Sequence, residues 1–339
     1  MQRTSTVVLL IGLFVALSTC FVANAFAQKP QAKKKSSPNP ELQALYREDL
    51  TDRYAAGPKD ARDRAEKRRA RAERLDAILK KGELGTAVDF YHAGAMLTRE
   101  GEPVERIALG HTLLSAAVFG RVQYSLGVAV ESLDRWMLAA SRPQQLCSIL
   151  DGESSNATPT PPFEDRVHQS IRAEFELEPL HYDDRKPESK GKKPKGFNSK
   201  ETRRLATAVT AQGAAGGPLD ATLKRMREVV SEGGLTGVED WLAAATVLSK
   251  SNDSGDLAIA HALALLAASK GDARAREIAA ATVDGLLRSV GSHEAFGSAL
   301  TIGSHEHAFD EWGVELDTVL RVAFGLPVPD RVIEAPGDE

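Results

Sequence analysis

Apolar residues recur at every third or fourth position through most of the chain, which is the spacing of an amphipathic helix. Ile107, Leu114 and Val118 form one such stripe, and Gly120 follows it as a natural stop. No segment alternates apolar and polar residues at every second position for long enough to indicate a strand. The pattern predicts an all-α protein.

Glycine, proline and capping residues divide this pattern into separate helices. Gly82 ends a long charged helix, and Thr86 followed by Asp89 is a capping box that opens the next one. In the first part of the chain we expect helices at about 41–54, 59–81, 86–99, 103–119, 122–140 and 163–175. Helices of this length with short connections are typical of paired antiparallel helices.

The second part of the chain repeats the first at a distance of 150 or 151 residues. Residues 74–97 lie over residues 225–248, and the identities fall at a helix stop, a capping region and an apolar stripe. Further matches follow in the same order along the chain. The sequence therefore predicts two tandem helical-hairpin units of the tetratricopeptide or α-solenoid kind, joined by a charged linker.

These features give a division of the whole chain. The predicted segments are a signal peptide at 1–27, a disordered tether at 28–40, helical unit 1 at 41–181, a charged linker at 182–202, helical unit 2 at 203–330 and a tail at 331–339. The tether and the linker are rich in lysine, proline, glycine and serine, which cannot bury enough apolar area to offset the entropy of ordering.

The first 27 residues have the three parts of a secretory signal peptide. Arg3 gives a positive start, residues 7–17 are an apolar run, and residues 25–27 supply small side chains before a cleavage point. Eleven apolar residues are too few to span a bilayer as a helix. We expect an exported protein, periplasmic or secreted, with no stable transmembrane segment after cleavage. Lipid anchoring at Cys20 is the alternative.

Composition and charge narrow the function classes. Of 339 residues, 42% are hydrophobic and 27% charged, which is ordinary for a globular protein. The formal net charge is −4, which argues against nucleic acid as a partner. The basic residues of segment 62–74 outnumber the acidic ones but are interspersed with them, as on a solvated helix face. After cleavage the chain keeps a single cysteine, Cys147, so an internal disulfide is excluded.

Two segments also resemble a known family. The first copy reads AVESLDRWMLAASRPQQLCS at 129–148 and keeps Asp134, Arg135, Pro143 and Gln144. The second is residues 280–298, with Asp284, Gly291, Phe296 and Gly297. These segments resemble a bacterial family of unknown function with the signature A-x-x-L-D-R-x-L followed by G-x-P-Q-x-(Y/F)-G-T-Q. Both copies lack the closing glutamine. The resemblance implies paired helices and no established activity, and it suggests that Arg135, Pro143 and Gln144 line a groove. The alternative is that these residues cap the helix and form the turn that ends it, a role that proline favours.

A histidine and an aspartate recur in both units, 23 residues apart on consecutive helices. They are His111 with Asp134, and His261 with Asp284. Polar groups on apolar faces need a partner, so we expect each histidine to bond its aspartate. The pair is then either a structural hydrogen bond between helices or an imidazole oriented as a base or metal ligand.

The second unit alone carries a group of histidines near its end. His293, His305 and His307 are candidate metal ligands, since imidazole is a ligand for zinc and copper. Their spacing fits no established helical metal motif, and a solvated loop is the alternative. No cofactor is expected.

The sequence leaves two function classes open. The first is an exported helical-repeat protein that acts as a binding or scaffold module for a protein or an envelope component. The second is a hydrolase or metal-dependent enzyme that uses a His–Asp pair or the C-terminal histidines. The duplicated helices and the absence of a recurring nucleophile or phosphate loop favour the first class.

Overall fold

The computed structural model describes residues 37–54, 61–151, 158–177, 199–212, 219–296, 312 and 314–328. Over these residues the protein consists of helices packed on helices, and the predicted all-α class is confirmed. The described strands are two antiparallel pieces of two residues each, Leu150–Asp151 and Thr158–Pro159.

Twelve helices lie within the described residues. The first half holds α1 (Pro40–Tyr54), α2 (Ala61–Lys80), α3 (Ala87–Leu97), α4 (Val104–Phe119), α5 (Ser125–Ala139) and the short α6 (Gln169–Glu174). The second half holds α7 (Ser199–Gln212), α8 (Leu219–Ser231), α9 (Val238–Leu248), α10 (Ser254–Ser269), α11 (Ala275–Ser289) and α12 (Val314–Phe324).

Helix boundaries follow the predicted signals closely. The Thr86 hydroxyl accepts the Asp89 amide at 3.2 Å, and the Asp89 carboxylate accepts the Thr86 amide at 2.9 Å, which makes the capping box that the sequence predicts. Gly82 ends α2 with a φ of +62°, a conformation that favours glycine. Gly120 is the C-cap of α4.

The helix expected at 163–175 is wrong in its first half, because α6 covers only Gln169–Glu174. The Gln144 amide donates to the carbonyl of Pro162, and the Glu164 amide donates to the carbonyl of Gln144. These bonds hold Phe163 beside Gln144 as a β-bridge, so the backbone there is extended.

The two halves match in the length and contacts of their central helices. Helices α3 and α9 have 11 residues each, α4 and α10 have 16, and α5 and α11 have 15. In each half the third helix packs on the fourth and the fourth on the fifth. The order of helices is therefore the same on both sides of residues 178–198.

A buried aspartate ties the first helix of each half to the loop before the third. Asp89 accepts the amide of Asn39 at 2.7 Å and the amide of Gly85 at 3.1 Å. Asp240, 151 residues later, accepts the hydroxyl of Ser199 at 2.8 Å and the amide of Thr236 at 3.2 Å. The match at these two aspartates thus reflects the same structural requirement in both halves.

The described helices from residue 38 onward share one continuous core. Helix α4 contacts its counterpart α10. Each of these two helices also contacts the helix that follows the other, because α5 packs on α10 and α11 packs on α4. A solenoid repeat contacts only its neighbours in sequence, so the contact between α4 and α10 is an additional feature.

Each half also sends a segment onto the other. His168, just before α6, lies against Gly233, where an added Cβ would be 2.4 Å from the imidazole Nδ1. Glu315 of α12 lies against Gly82 in the same way, 2.9 Å from an added Cβ. Gly82 and Gly233 are equivalent positions. The last helical segment of each half therefore packs against the glycine of the other half.

Several predicted segments fall wholly or mostly outside the described residues. They include the signal peptide with Cys20, most of the tether, most of the linker and the tail. The described end of the linker, residues 199–202, already belongs to α7. Among the described helices, none combines the length and the apolar character needed to cross a bilayer.

Candidate functional site

His111 and His261 occupy equivalent, fully buried places on α4 and α10. Nδ1 of His111 lies 3.1 Å from the carbonyl oxygen of Ala129 and 2.8 Å from the hydroxyl of Ser132. Nδ1 of His261 lies 3.1 Å from the Ala279 oxygen and 2.9 Å from the Thr282 hydroxyl. A carbonyl oxygen only accepts hydrogen bonds, so we assign the proton of each ring to Nδ1.

The predicted hydrogen bonds from His111 to Asp134 and from His261 to Asp284 are wrong. Each histidine instead reaches the hydroxyl residue that stands two positions before the aspartate, Ser132 or Thr282. Two positions on an α-helix correspond to a rotation of about 200°. The rise along the helix was close to correct, but the rotation places the aspartate on the opposite face.

Asp134 binds the loop that follows its own helix. Its carboxylate accepts the amides of Gln145 at 2.8 Å, Leu146 at 3.1 Å and Ser148 at 2.8 Å. The Ser148 hydroxyl donates to it as well, at 2.8 Å. Burial raises the pKa of the Asp134 carboxyl, and the hydrogen bonds from Ser148, Leu146 and Gln145 act in the opposite direction. Asp134 is a structural residue.

Asp284 has the same place in the second half. It accepts the amides of Ala295 at 2.7 Å and Phe296 at 2.8 Å, which are the residues equivalent to Gln145 and Leu146. The recurring aspartate of the sequence repeat therefore organises a loop and does not orient an imidazole.

The two imidazoles meet each other where α4 crosses α10. Their ring centroids are 4.8 Å apart, with the planes inclined at 62°. Nε2 of His261 lies 3.2 Å from the Ser115 hydroxyl. The residue equivalent to Ser115 is Leu265, and Nε2 of His111 has no hydrogen-bond partner within the described residues.

Burial keeps both rings neutral. Loss of hydration lowers the pKa of His111 well below its usual value, and the neighbouring His261 adds to this effect. Loss of hydration also lowers the pKa of His261, to about 4. Two neutral, fully buried imidazoles form a polar junction between the halves of the protein.

The contact between Ser132 and His111 has the distance of a nucleophile and its base, but its proton arrangement opposes that role. The Ser132 hydroxyl donates to the Ala129 carbonyl at 2.7 Å, and Nδ1 of His111 already carries a proton. Nδ1 therefore has no lone pair with which to accept the serine proton. This geometry does not provide the oriented base that a hydrolase requires.

Gln144 is also buried and structural. Its side-chain oxygen accepts the Ile149 amide at 3.0 Å, and its Nε2 donates to the carbonyls of Ile149 and Thr160. Gln144 thus fixes the loop of residues 144–160 and lines no groove, which corresponds to the turn-forming alternative.

Of the predicted metal ligands, only His293 lies within the described residues, where its side chain is exposed. His305 and His307 lie outside them. The part of the chain that the structure describes contains no group of three histidine, cysteine or acidic side chains arranged to hold a metal ion.

Arg135 does line a cleft, and this cleft is the strongest candidate site. It has a volume of about 520 Å³ and lies between α1, α3 and α5, with α2 at one side. Four arginines reach it from four elements of the first half: Arg53, Arg68, Arg99 and Arg135. Tyr46 and Tyr91 form an aromatic wall, with their ring centroids 5.9 Å apart.

Each arginine of the cleft is held by a carboxylate. Asp49, nearly fully buried, fixes two of the four from behind. The ion pairs are Arg53–Asp49 at 3.1 Å, Arg68–Glu102 at 2.7 Å, Arg135–Glu131 at 2.7 Å, and Arg99–Asp49. The guanidinium groups are thereby positioned while part of each remains open to the cleft.

The second half does not repeat the character of this cleft. At offsets of 150 or 151 residues, Tyr91 corresponds to Leu242, Glu131 to Ala281 and Arg135 to Gly285. Since both halves have the same helix order, the helical framework alone does not require the charged and aromatic side chains. The sequence pattern did not single out Arg53, Arg68, Arg99 or the two tyrosines. The replacement of Tyr91 by Leu242 in the second half was an available signal, whereas Arg99 keeps its charge there as Lys250.

No family model matches the chain, and comparisons with curated proteins and with solved structures give no match. The resemblance to the bacterial family of unknown function therefore stays a prediction.

Proposed function

We propose that the protein is an exported, non-catalytic binding module, and that it holds another protein or an envelope component at the cleft of the first half. Export in this proposal rests on the charge and hydrophobicity of residues 1–27.

The observation that carries the proposal is the concentration of four arginines and two tyrosines at one cleft, where Tyr91 and Arg135 are replaced by Leu242 and Gly285 in the other half. Arginine and tyrosine are enriched at recognition surfaces, where they combine a large contact area with directed hydrogen bonds. The cleft lies on a continuous hydrophobic core, which gives these side chains a rigid support.

The buried histidines support binding over catalysis. A general base must reach the proton that it removes from the substrate. His111 and His261 are both fully buried, and their Nδ1 protons point to carbonyl oxygens of the neighbouring helix. The recurring polar residues therefore serve the fold, and the cleft carries the recognition chemistry.

A matched pair of substitutions tests the proposal. Val128 lines the cleft on α5, and Ile278 is its equivalent on α11; both are partly buried against the core. The mature chain is immobilised and exposed to an envelope extract of the organism that produces it. We expect the unmodified chain to retain a partner from the extract. Val128→Trp should abolish this retention, and Ile278→Trp should preserve it.

Circular dichroism and thermal melting establish that both variants are folded. Failure of the unmodified chain to retain any partner, or equal retention by the two tryptophan variants, would contradict the proposed binding site.

A further inference from the structure

The arginines of the cleft keep unused hydrogen-bond donors. Among the described residues, Nη1 of Arg53, Arg68, Arg99 and Arg135 makes no hydrogen bond, since their bonds run through Nε or Nη2. Their side chains are 15–42% exposed. A guanidinium with a free edge can still bind an incoming anion through paired N–H groups.

The lining also has an excess of positive charge. Four guanidiniums face the cleft together with two carboxylates, Glu100 and Glu131. Asp49 stands behind the arginines and is 2% exposed, so a ligand in the cleft meets the guanidiniums first. Asp49 and Glu102 pair with the arginines from outside the lining and balance the total charge, so the position of the guanidiniums nearer the cleft is what favours an anion there.

The floor between the arginines is apolar and aromatic. Leu50, Val128 and the rings of Tyr46 and Tyr91 lie beside the charged groups. A volume of about 520 Å³ falls within the range of pockets that enclose a small molecule or a short peptide. The cleft thus combines several separate cationic points with one surface for an apolar group.

We infer that the cleft binds a short acidic peptide segment in which carboxylate side chains flank an apolar one. Four guanidiniums from separate elements fit a ligand that carries several separate carboxylates, whereas inorganic phosphate presents a single centre. The inference rests on the proposed function and names the part of the partner that the cleft recognises.

The test uses a fluorescent eight-residue peptide of alternating glutamate and leucine, with alternating glutamine and leucine as the control. Fluorescence anisotropy measures the affinity of the full mature chain for each peptide. We expect the glutamate peptide to bind at least tenfold more tightly, and its affinity to fall as the salt concentration rises.

Two substitutions in one ion pair should act in opposite directions. Arg135→Gln removes a cation from the cleft and should weaken peptide binding at least fivefold. Glu131→Gln releases Arg135 from its carboxylate and should strengthen binding two- to fivefold. The pair is solvent-accessible, with Glu131 49% exposed, so both variants are expected to fold. Arg288→Gln, at the exposed Arg288 that pairs with Glu294 in the second half, is the control and should leave the affinity unchanged.

Equal binding of the two peptides would overturn the inference, as would a shift in the same direction for Arg135→Gln and Glu131→Gln. Displacement of the glutamate peptide by inorganic phosphate at equal concentration would also overturn it, because the cleft would then be a phosphate site. If the envelope partner is lost in Val128→Trp while the peptides show no preference, only the ligand class fails and the binding site stands.

Discussion

Arg106 and Asp256 hold equivalent positions near the start of α4 and α10, and they carry opposite charges. Nη1 of Arg106 donates hydrogen bonds to the two carboxylate oxygens of Asp76, at 2.8 and 3.0 Å. Nε of Arg227 donates to the two carboxylate oxygens of Asp256, at 2.9 and 3.0 Å. Asp76 and Arg227 are themselves equivalent, at an offset of 151 residues. The two halves therefore keep the same ion pair with its charges exchanged.

This exchange predicts that the pair can be reversed within one half. Arg106→Asp alone places its new carboxylate beside Asp76 and beside Glu102, which Arg106 also binds at 3.1 Å, and should lower the free energy of unfolding by about 1–2 kcal/mol, because these groups are partly exposed. The double variant Arg106→Asp, Asp76→Arg should recover at least half of that loss. Urea unfolding measures the stability of the two variants. A double variant that is less stable than the single variant would contradict the equivalence of the two ion pairs.

The buried histidines predict a loss of stability in acid. Their folded-state pKa values lie below the usual 6.5, at about 4 for His261, so the folded state binds fewer protons than the unfolded state. Their contribution is complete above pH 6.5 and is lost as the pH falls towards 4. For His261 alone the change is about 3 kcal/mol. Urea unfolding from pH 7.5 to 4 should show a smaller decline in the double variant His111→Leu, His261→Leu.

The two histidines should differ at neutral pH. His261→Leu removes one of the two partners of the Ser115 hydroxyl, which also lies 2.9 Å from the His111 carbonyl oxygen, whereas His111→Leu removes a ring whose Nε2 is unpaired. We expect His111→Leu to be more stable than His261→Leu by about 1 kcal/mol, the value of one buried hydrogen bond. Thermal melting at pH 7.5 makes the comparison, and the reverse order would indicate a different proton arrangement.

Asp134 should be costly to replace because three backbone amides depend on it. Asp134→Ala leaves the amides of Gln145, Leu146 and Ser148 without their acceptor, and should cost about 2–4 kcal/mol. Asp134→Asn keeps one acceptor oxygen and should cost less. Ser148→Ala removes only the hydroxyl bond, worth about 1 kcal/mol. Denaturant unfolding ranks the three variants by their loss of stability. A loss for Ser148→Ala equal to that for Asp134→Ala would contradict the role of the amides.

The contact of α3 with α4 is close enough to require glycine. An added Cβ at Gly110 would lie 2.7 Å from Cγ2 of Thr98 and 2.8 Å from Cβ of Leu97. Gly110→Ala should therefore lower stability by about 1–3 kcal/mol, although alanine favours a helix. The equivalent residue in α10 is the fully buried Ala260, and Ala260→Gly should cost about 1–2 kcal/mol through helix propensity and the loss of a buried methyl group. A stabilised Gly110→Ala variant would show that the helices can separate without loss.

Local signals in the sequence were sufficient for the helices. The capping box of Thr86 and the stop at Gly82 depend on residues within a few positions of each other, and both are where the sequence predicts them. Chain segments that bond to distant residues were predicted less well, as at Phe163, where Gln144 holds the backbone extended.

The candidate site was harder to predict because its parts come from separate elements. Spacing along the chain identified His111 and Asp134 as important, but it carried no information on the helix rotation that separates them. Arg135 was predicted through the family resemblance. Its neighbours in the cleft, such as Arg68, belong to other helices, and only helix packing brings them together.

The placement of α12 has a consequence for the order in which the protein matures. This helix lies near the carboxyl end of the chain but contacts α2 and α4, and its Phe324 meets Phe119 edge to face at 4.8 Å. About 200 residues separate the two rings, and a ribosome takes on the order of 10–40 s to add that many. Phe119 therefore lacks this neighbour until about 200 further residues have been added, and the first half cannot complete its core from its own residues alone.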